Sequence, residues 1–240
     1  MTSNLSIPAK DRLIVPLDVS SVEDAREIVM DLGDSVSFYK IGYQLAYAGG
    51  FELAKELIEA ENNVFMDLKL LDIDNTIEKG VESIRALDAK FLTIHAYPSA
   101  MRAAVAGRGK SDLKLLGVTV LTSMDDEDLK EAGYSSKAED LVAKRATAAR
   151  QAGMDGIVCA AQEAAAMRKI VGPDMAIVTP GIRQEGTSAD DQKRVMTPGR
   201  AISEGSDYLV VGRPILGARK RSMTALSIID EIEAALASRS

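Results

Sequence analysis

Short apolar runs rich in β-branched residues recur along the chain, and the segments between them carry apolar residues with helical spacing. In the second of these segments, residues 54–58 place apolar side chains on one face of a predicted helix. In the first, Ser21 and Asp24 have capping-box spacing and Gly33 follows the last apolar residue, which predicts a helix between them. The eight apolar runs, each predicted to contain a strand, are residues 12–19, 38–43, 63–70, 91–97, 114–122, 156–161, 175–182 and 208–215.

Alternation of strands with helices predicts an α/β fold with parallel strands, and the number of units is typical of a (β/α)8 TIM barrel. A doubly wound open sheet is the alternative, but no predicted strand is followed by a GxGxxG turn, and residues 223–237 supply a helix after the last strand. We therefore expect residues 1–240 to form a single barrel domain, with residues 1–10 as a flexible N-terminal extension. The polar connection 183–200 is too long for an ordinary loop and is interpreted as a lid.

Charged residues interrupt the apolar pattern of the first three predicted strands. Side chains alternate between the two faces of a strand, so Asp67 and Lys69 share one face while Leu68 points to the other. A single inward charge would indicate a structural ion pair, but burying several charges costs several kcal/mol per ion unless all are well paired. Since the C-terminal strand ends of a TIM barrel form its active site, these charges favour a function there. The residues, all late in their predicted strands, are Asp18, Lys40, Asp67 and Lys69.

Composition narrows the function classes. The net charge of -7 disfavours binding to nucleic acid or to an anionic membrane. With Cys159 and His95 each the only residue of its type, neither an intramolecular disulfide nor a zinc-type Cys/His cluster can form. No apolar stretch approaches the ~18 residues of a membrane span. We expect a cytoplasmic protein with no metal, no cofactor, no nucleic acid and no membrane among its partners.

The segment DLKLLDIDNT, from Asp67 to Thr76, resembles the signature of the bacterial orotidine 5'-monophosphate (OMP) decarboxylase family. Related sugar-phosphate barrels, the 3-keto-gulonate 6-phosphate decarboxylases and hexulose-phosphate synthases, share Asp-x-Lys-x-x-Asp but usually continue with an Ala-Gly segment, where this chain has Ile73 and Thr76. HAYPSAM replaces the family's more usual Gly-rich turn, and His95 is given no catalytic role. The resemblance extends over about residues 11 to 235, and its further matches are PLDV at Asp18, YKIG at Lys40, IHA at His95, LT at Thr122, TPGIR at Arg183, DDQKR at Gln192 and VVGRPI at Arg213.

The resemblance implies a cofactor-free decarboxylase that converts OMP to UMP in de novo pyrimidine biosynthesis. It implies that Lys69 stabilises the ring carbanion and protonates it, and that Asp67 lies beside the substrate carboxylate. Lys40 and Asp72 complete the implied catalytic charge network. From its spacing alone, Asp72 could equally cap the following helix.

The resemblance also implies the substrate contacts. Asp18 and Lys40 would hold the ribose hydroxyls, with Asp72 of a neighbouring subunit assisting, Asp67 would bind near the substrate carboxylate, and Thr122 would contact the pyrimidine. Gln192 would span the phosphate and the pyrimidine.

The phosphate and the dimer involve further residues. Arg183, Gly212 and Arg213 follow the last two strands, where TIM barrels commonly bind phosphate. By resemblance, Asp72 and Thr76 reach into a neighbouring subunit, which implies a homodimer with shared active sites. Two alternatives stay open: a magnesium-dependent sugar-phosphate decarboxylase or aldolase on a related barrel, and a barrel that binds nucleotide without catalysis.

Overall fold

The structure, a computed structural model, describes residues 3, 5–184 and 196–238. Eight parallel strands close into a barrel in which each strand pairs with its neighbours in chain order and β8 pairs with β1. This confirms the predicted TIM barrel. The strands are β1 Leu13–Pro16, β2 Phe38–Gly42, β3 Asn63–Leu70, β4 Phe91–His95, β5 Lys114–Val118, β6 Gly156–Val158, β7 Ala176–Thr179 and β8 Tyr208–Val210.

Helices cover the outside of the barrel and are joined to the strands by short loops and 3₁₀ turns. The first begins after Ser21, whose Oγ accepts a hydrogen bond from the Asp24 amide at 3.1 Å, and ends at Gly33 with a φ of 48°. These bounds agree with the predicted cap and stop. The helices of the described residues are α1 Val22–Leu32, α2 Tyr43–Leu45, α3 Phe51–Glu59, α4 Asp74–Arg85, α5 Pro98–Arg108, α6 Asp126–Glu131, α7 Ala138–Ala152, α8 Ala164–Val171, α9 Pro198–Ser203, α10 Arg213–Leu216 and α11 Arg221–Ala237.

Most strands are shorter than the apolar runs that predicted them. The run 114–122, for example, continues past the end of β5, and Val120 stays buried although it is no longer in the ladder. Apolar side chains at the rim of the barrel thus extend the pattern beyond the hydrogen-bonded strand. As a consequence, Asp18 and Thr122 lie in loops after β1 and β5, and the prediction that Asp18 is part of a strand is wrong.

The barrel interior is packed separately from the layer between strands and helices. It includes an aromatic layer whose contacting rings have centroids 5.0–6.0 Å apart. Its rings belong to Phe38, Phe65, Phe91 and Tyr208. Because alternate residues of a strand face the same side, the residues two positions after the three phenylalanines also point inward, one layer nearer the C-terminal rim. Those residues are Lys40, Asp67 and Thr93.

Two predictions concern segments that the structure describes only in part. Leu5 and Ile7 pack against the barrel interior cluster, and Arg12 Nε donates to the Ile7 carbonyl at 3.0 Å, so this part of the N-terminal segment lies against the barrel. The division of the chain into one domain and a flexible extension stays a prediction. Most of the predicted lid, 183–200, lies outside the described residues, as does Gln192.

Candidate active site

A cavity of about 540 Å³ opens at the C-terminal ends of the strands, the expected location of a TIM-barrel active site. Its volume is within the range of small-molecule sites. Residues that follow β1, β5, β7 and β8 surround side chains from β2 and β3. The predicted site residues in its lining are Asp18, Lys40, Asp67, Lys69, Thr122, Arg183, Gly212 and Arg213.

Four of these residues form a chain of alternating charges. Lys40 Nζ lies 2.9 Å from Asp18 Oδ1 and 3.4 Å from Asp67 Oδ2. Lys69 Nζ lies 2.8 Å from the same Asp67 oxygen. Asp67 is therefore paired with two ammonium groups at once. Because each lysine has a carboxylate partner, neither cation is buried unpaired.

Burial and pairing act in opposite directions on this network. Burial disfavours the charge on Asp67, but Lys40 and Lys69 outweigh it, and the pKa of Asp67 is held below its ordinary value. Burial also opposes the charge on Lys40, yet Asp67 and Asp18 raise the pKa of Lys40 above its ordinary value. Both groups are therefore ionised at neutral pH, and the site presents fixed charges to any ligand in the cavity.

Strand β3 departs from regular pairing where it carries these charges. Its pairing with β4 advances from Met66 to Leu70 while β4 advances only from Leu92 to Ile94, which is a bulge in β3. Lys69 lies within the bulge with a φ of 39°, a left-handed conformation that is uncommon for a residue other than glycine. Simple alternation therefore does not account for the position of Lys69, although its side chain does lie beside Asp67, as predicted.

Thr93 is a member of the site that the sequence-based prediction missed. It is fully buried in β4, and its Oγ1 donates to Asp67 Oδ1 at 2.9 Å and accepts from the Lys69 amide at 2.9 Å. A signal was present in the sequence: Thr93 follows Phe91 by two residues, as Asp67 follows Phe65. An uncharged hydroxyl simply does not stand out in an apolar run as a lysine or aspartate does.

Two glycines allow close approaches at the cavity. A Cβ on Gly42 would lie 3.1 Å from Lys40 Nζ, so a side chain there would press on the charge network. A Cβ on Gly212 would lie 3.0 Å from Pro16 Cγ, which keeps the chain after β8 tight against β1.

The predicted phosphate ligands follow β7 and β8 and line the same cavity. Arg183 follows β7 and is buried, with one guanidinium nitrogen donating to the Ile182 carbonyl at 2.9 Å. Arg213 follows β8, is exposed, and begins the short helix α10. Both arginines line the same cavity as Lys69, which adds two cations to a site that already contains the charge network.

Asp72 and Thr76 do not line this cavity. Both are exposed, and Asp72 makes no ion pair with another described residue. The capping alternative for Asp72 is not supported: α4 has Ile73 at its N-cap without a side-chain bond, and Asp72 Oδ1 accepts from the adjacent Ile73 amide, at 2.7 Å. Within one chain, the charge network consists of Asp18, Lys40, Asp67 and Lys69.

His95 lines a second, smaller cavity of about 300 Å³ next to the first. Its neighbours there include Tyr97, Tyr134 and Arg145. Burial, followed by the nearby charges of Arg145 and Lys69, lowers the pKa of His95 below its ordinary value, so the imidazole is neutral at pH 7. Its position is that of a packed rim residue and not of a group facing the main cavity.

Two kinds of feature are absent from the described residues. No three His, Cys, Asp or Glu side chains in this part of the chain are grouped so that they could hold a metal ion. None of the helices in the same residues combines the length and apolar character needed to cross a membrane.

Comparisons with a family model and with curated proteins identify the same enzyme family. The model of the orotidine 5'-phosphate decarboxylase / HUMPS family matches residues 11–228. Orotidine 5'-phosphate decarboxylase of Rhodopseudomonas palustris strain BisB5 is 59% identical over 223 residues, which are 93% of this chain and 95% of that protein. The enzyme of the same name from strain CGA009 is 57% identical over 96% of this chain and 98% of its own length.

Solved structures extend the likeness to the fold. The crystal structure of orotidine 5'-phosphate decarboxylase from Lactobacillus acidophilus superposes with a TM-score of 0.82 at 33% identity, covering 92% of this chain and 99% of that one. An uncharacterised conserved protein from Geobacillus kaustophilus gives a TM-score of 0.79 at 30% identity, again over 92% of this chain and 99% of its own.

Proposed function

The chain belongs to the orotidine 5'-phosphate decarboxylase / HUMPS family, and we propose that it decarboxylates its substrate with its own charged side chains, Lys69 foremost. It is a carboxy-lyase that converts OMP to UMP in pyrimidine biosynthesis. The observation that carries the mechanism is the ammonium group of Lys69, held 2.8 Å from Asp67 at the floor of a cavity large enough for a nucleotide.

Lys69 supplies the charge and the proton. When the bond between the ring carbon and the carboxylate breaks, carbon dioxide leaves and the electron pair stays on the ring carbon. A cation fixed next to that carbon stabilises the developing charge without reorganisation. Lys69 Nζ then gives a proton to the carbon, forming the C–H bond of UMP, and regains a proton from water, which reaches its partly exposed side chain.

Asp67 has two roles in this mechanism. It holds Lys69 in place through their ion pair, and it lies beside the position of the substrate carboxylate. Two like charges ~4 Å apart repel by roughly 4 kcal/mol at an effective dielectric of 20. Departure of carbon dioxide relieves that repulsion, so the bound substrate is raised in energy relative to the transition state.

The remaining residues of the cavity bind the non-reacting parts of the nucleotide. Asp18 and Lys40 hold the ribose hydroxyls, and Thr122 contacts the pyrimidine. Their support is the cavity they share with Lys69 and the 2.9 Å pair between Lys40 and Asp18, which orients both groups.

Phosphate binding falls to Arg183, Gly212 and Arg213, together with Gln192, which lies outside the described residues. A guanidinium group offers a planar fork of donors that matches phosphate oxygens. Binding energy from this remote group contributes to catalysis because it positions the pyrimidine against Lys69.

The active enzyme is a homodimer in which Asp72 and Thr76 complete the partner's site. Apolar side chains beside these two residues are exposed in the single chain: Leu71 by 51% and Ile73 by 71%. Tyr97 and Leu121, also exposed, line a small cavity together with Leu71. A contiguous apolar patch next to an active site favours coverage by a second copy.

Cytoplasmic location and the absence of nucleic acid among the partners belong to the same proposal. They are supported by the net charge of -7 and by the single, buried thiol of Cys159, which suits a reducing compartment.

The activity is tested by following the absorbance of OMP during incubation with purified protein in excess EDTA. We expect full turnover, because the proposed chemistry uses side chains alone. Loss of turnover in EDTA with recovery in magnesium would instead indicate a metal-dependent relative. Binding of UMP without any change in OMP absorbance would indicate a nucleotide-binding barrel without catalysis.

The shared site is tested by mixing two inactive variants, Lys69→Ala and Asp72→Asn. Random exchange of subunits would leave about a quarter of the sites with neither substitution, since each heterodimer contains one intact site. We expect activity to return to that level on mixing. A mixture that stays inactive although mass spectrometry detects heterodimers would contradict the sharing of Asp72.

A further inference from the structure

Thr93 occupies a position in which one hydroxyl group contacts both halves of the Asp67–Lys69 pair. Its side chain is fully buried in β4, at the inward position directly above Phe91. Its Oγ1 lies 2.9 Å from the Lys69 amide nitrogen and 2.9 Å from Asp67 Oδ1. One hydroxyl thus joins the backbone of the lysine to the carboxylate of the aspartate.

The bulge in β3 explains why the Lys69 amide needs this partner. Regular pairing between β3 and β4 is interrupted from Met66 to Leu70, and the amide of Lys69, within this interruption, donates to the Thr93 hydroxyl. A buried amide without an acceptor is strongly unfavourable, and Lys69 also has a left-handed backbone, at a φ of 39°. Thr93 supplies the acceptor and thereby stabilises the backbone conformation that directs the Lys69 side chain toward the cavity.

The hydroxyl proton acts on the other half of the pair. Since the Thr93 oxygen accepts from the Lys69 amide, its own proton is free to be donated to Asp67 Oδ1. The second oxygen, Oδ2, faces the ammonium groups of Lys69 and Lys40. Each oxygen of the carboxylate thus has its own partners, and rotation of the carboxylate would break contacts on both sides.

We propose that Thr93 is a positioning residue for the decarboxylation, which sets Lys69 and Asp67 relative to each other through its hydroxyl group. This inference rests on the roles of Lys69 and Asp67 in the proposed function. Thr93 itself does not line the cavity and acts through Lys69 and Asp67. Its removal should therefore affect the chemical step more than substrate binding, because ribose and phosphate contacts come from other residues.

The hydroxyl is tested with two pairs of variants that differ mainly by that group: Thr93→Val against wild type, and Thr93→Ala against Thr93→Ser. We expect Thr93→Val to lower kcat by about 10- to 100-fold, the loss associated with displacing a catalytic group by up to an ångström. The KM for OMP should change by less than about 3-fold, since uniform binding is kept. Thr93→Ser should recover most of the kcat that Thr93→Ala loses.

Thr179→Val is the matched control. Thr179 is also fully buried in a strand of the barrel, and its hydroxyl donates to Ser206 Oγ at 3.1 Å, away from the charge network. Both valine variants lose a buried hydroxyl, but only Thr93→Val should lower kcat in the folded enzyme.

Equal kcat for Thr93→Ser and Thr93→Ala, or for Thr93→Val and Thr179→Val, would overturn the proposal. Comparison with Lys69→Ala separates it from the proposed function: if Lys69→Ala is inactive while Thr93→Val is fully active, only the role of Thr93 is wrong. If Lys69→Ala keeps its turnover, the assignment of Lys69 itself falls. The serine and alanine pair decides the question even if the valine variant does not fold.

Discussion

The barrel contains buried charges at both of its ends, and the two groups are built differently. At the end opposite the cavity, Arg168 of α8 pairs with Asp207, just before β8, with side chains that are 2% and 0% exposed. Arg168 also donates to three backbone carbonyls, those of Gly172, Met175 and Gly205 at 2.7–3.1 Å. Asp207 in turn accepts from the Ile177 amide at 2.7 Å. This pair connects the loop that precedes β7 with the loop that precedes β8.

The network at the other end has fewer contacts and faces open space. Among the described residues, Lys69 Nζ has one ion-pair partner, Asp67, and it otherwise faces the cavity. Exposure is lowest in the middle of the network, at Lys40 (10%) and Asp67 (13%), and rises to 26% at Lys69 on one end and 55% at Asp18 on the other. A ligand can therefore reach these charges, whereas a ligand cannot reach Arg168.

The comparison shows that burial of charge does not by itself indicate function. Arg168 has most of its donors bound to oxygens of the protein, which makes it a structural group. Lys69 keeps donor capacity that a substrate could use. Spare hydrogen-bonding capacity next to a cavity is therefore the feature that distinguishes a functional charge from a structural one.

Lys69→Ala, at the cavity end, is expected to have the largest effect, and that effect is on catalysis. Removing both the cation and the proton donor should lower kcat by at least about 10⁴-fold, the combined scale of one electrostatic stabiliser and one general acid. Binding of UMP should persist, because its phosphate and ribose contacts remain. The assay is OMP absorbance with calorimetric UMP binding, and Lys79→Ala, at an exposed lysine of α4, is the control. A modest loss would contradict the assignment of Lys69 as proton donor.

Arg168→Met, at the other end of the barrel, is expected to lower stability and leave kcat unchanged. Leaving Asp207 buried without its partner should reduce the free energy of unfolding by about 3–5 kcal/mol, as for other broken buried pairs. The kcat of the molecules that remain folded should not change, because no group at the cavity is altered. Urea unfolding at fixed protein concentration measures the first quantity and OMP turnover the second. A loss of kcat without a loss of stability would show that the two ends are coupled.

Asp67→Asn should affect stability in a pH-dependent manner. The pKa of Asp67 in the folded chain lies below the ordinary value of 3.8, so ionisation favours the folded state. This contribution is fully present above pH 3.8 and is lost as the pH falls through the lower, folded-state pKa. We expect Asp67→Asn to destabilise the protein by up to about 3 kcal/mol at pH 6. The difference from wild type in thermal unfolding should shrink below pH 4; a constant difference would mean that Asp67 is not held ionised by Lys40 and Lys69.

Local pattern was sufficient to predict the barrel and much of the cavity. Alternation of apolar runs predicted the eight strands, and inward positions late in β2 and β3 identified Lys40 and Asp67. Lys69 also lines the cavity, as predicted, but within a bulge that strict alternation does not include. The strand predicted over residues 63–70 has those same bounds in the structure. These features depend on the two-residue alternation of side chains along a strand and on the order of the strands, and both can be read directly from the sequence.

The features that were missed depend on contacts between distant segments. Arg168 and Asp207 are 39 residues apart, and neither belongs to a pattern that would bring them together. The bulge at Lys69 arises from how β3 pairs with β4, which a rule of strict alternation does not include. The position of Asp72 depends, in our proposal, on a second chain, so no property of one sequence reveals it.

Asp18→Asn should have the smallest effect of these substitutions, because Asp18 is the most exposed member of the network. The asparagine side chain would keep an oxygen for Lys40 but lose the charge, and the proposed contact to the ribose would weaken. We expect the KM for OMP to rise by about tenfold, the effect of roughly 1.4 kcal/mol of binding energy, with little change in kcat. Asp31→Asn is a matched control, since Asp31 has a side chain of similar exposure, 57% against 55%, and pairs with Arg221 on the outside of the barrel. If kcat fell as far as it does in Lys69→Ala, Asp18 would belong with the catalytic charges, and exposure would no longer separate binding residues from catalytic ones within the network.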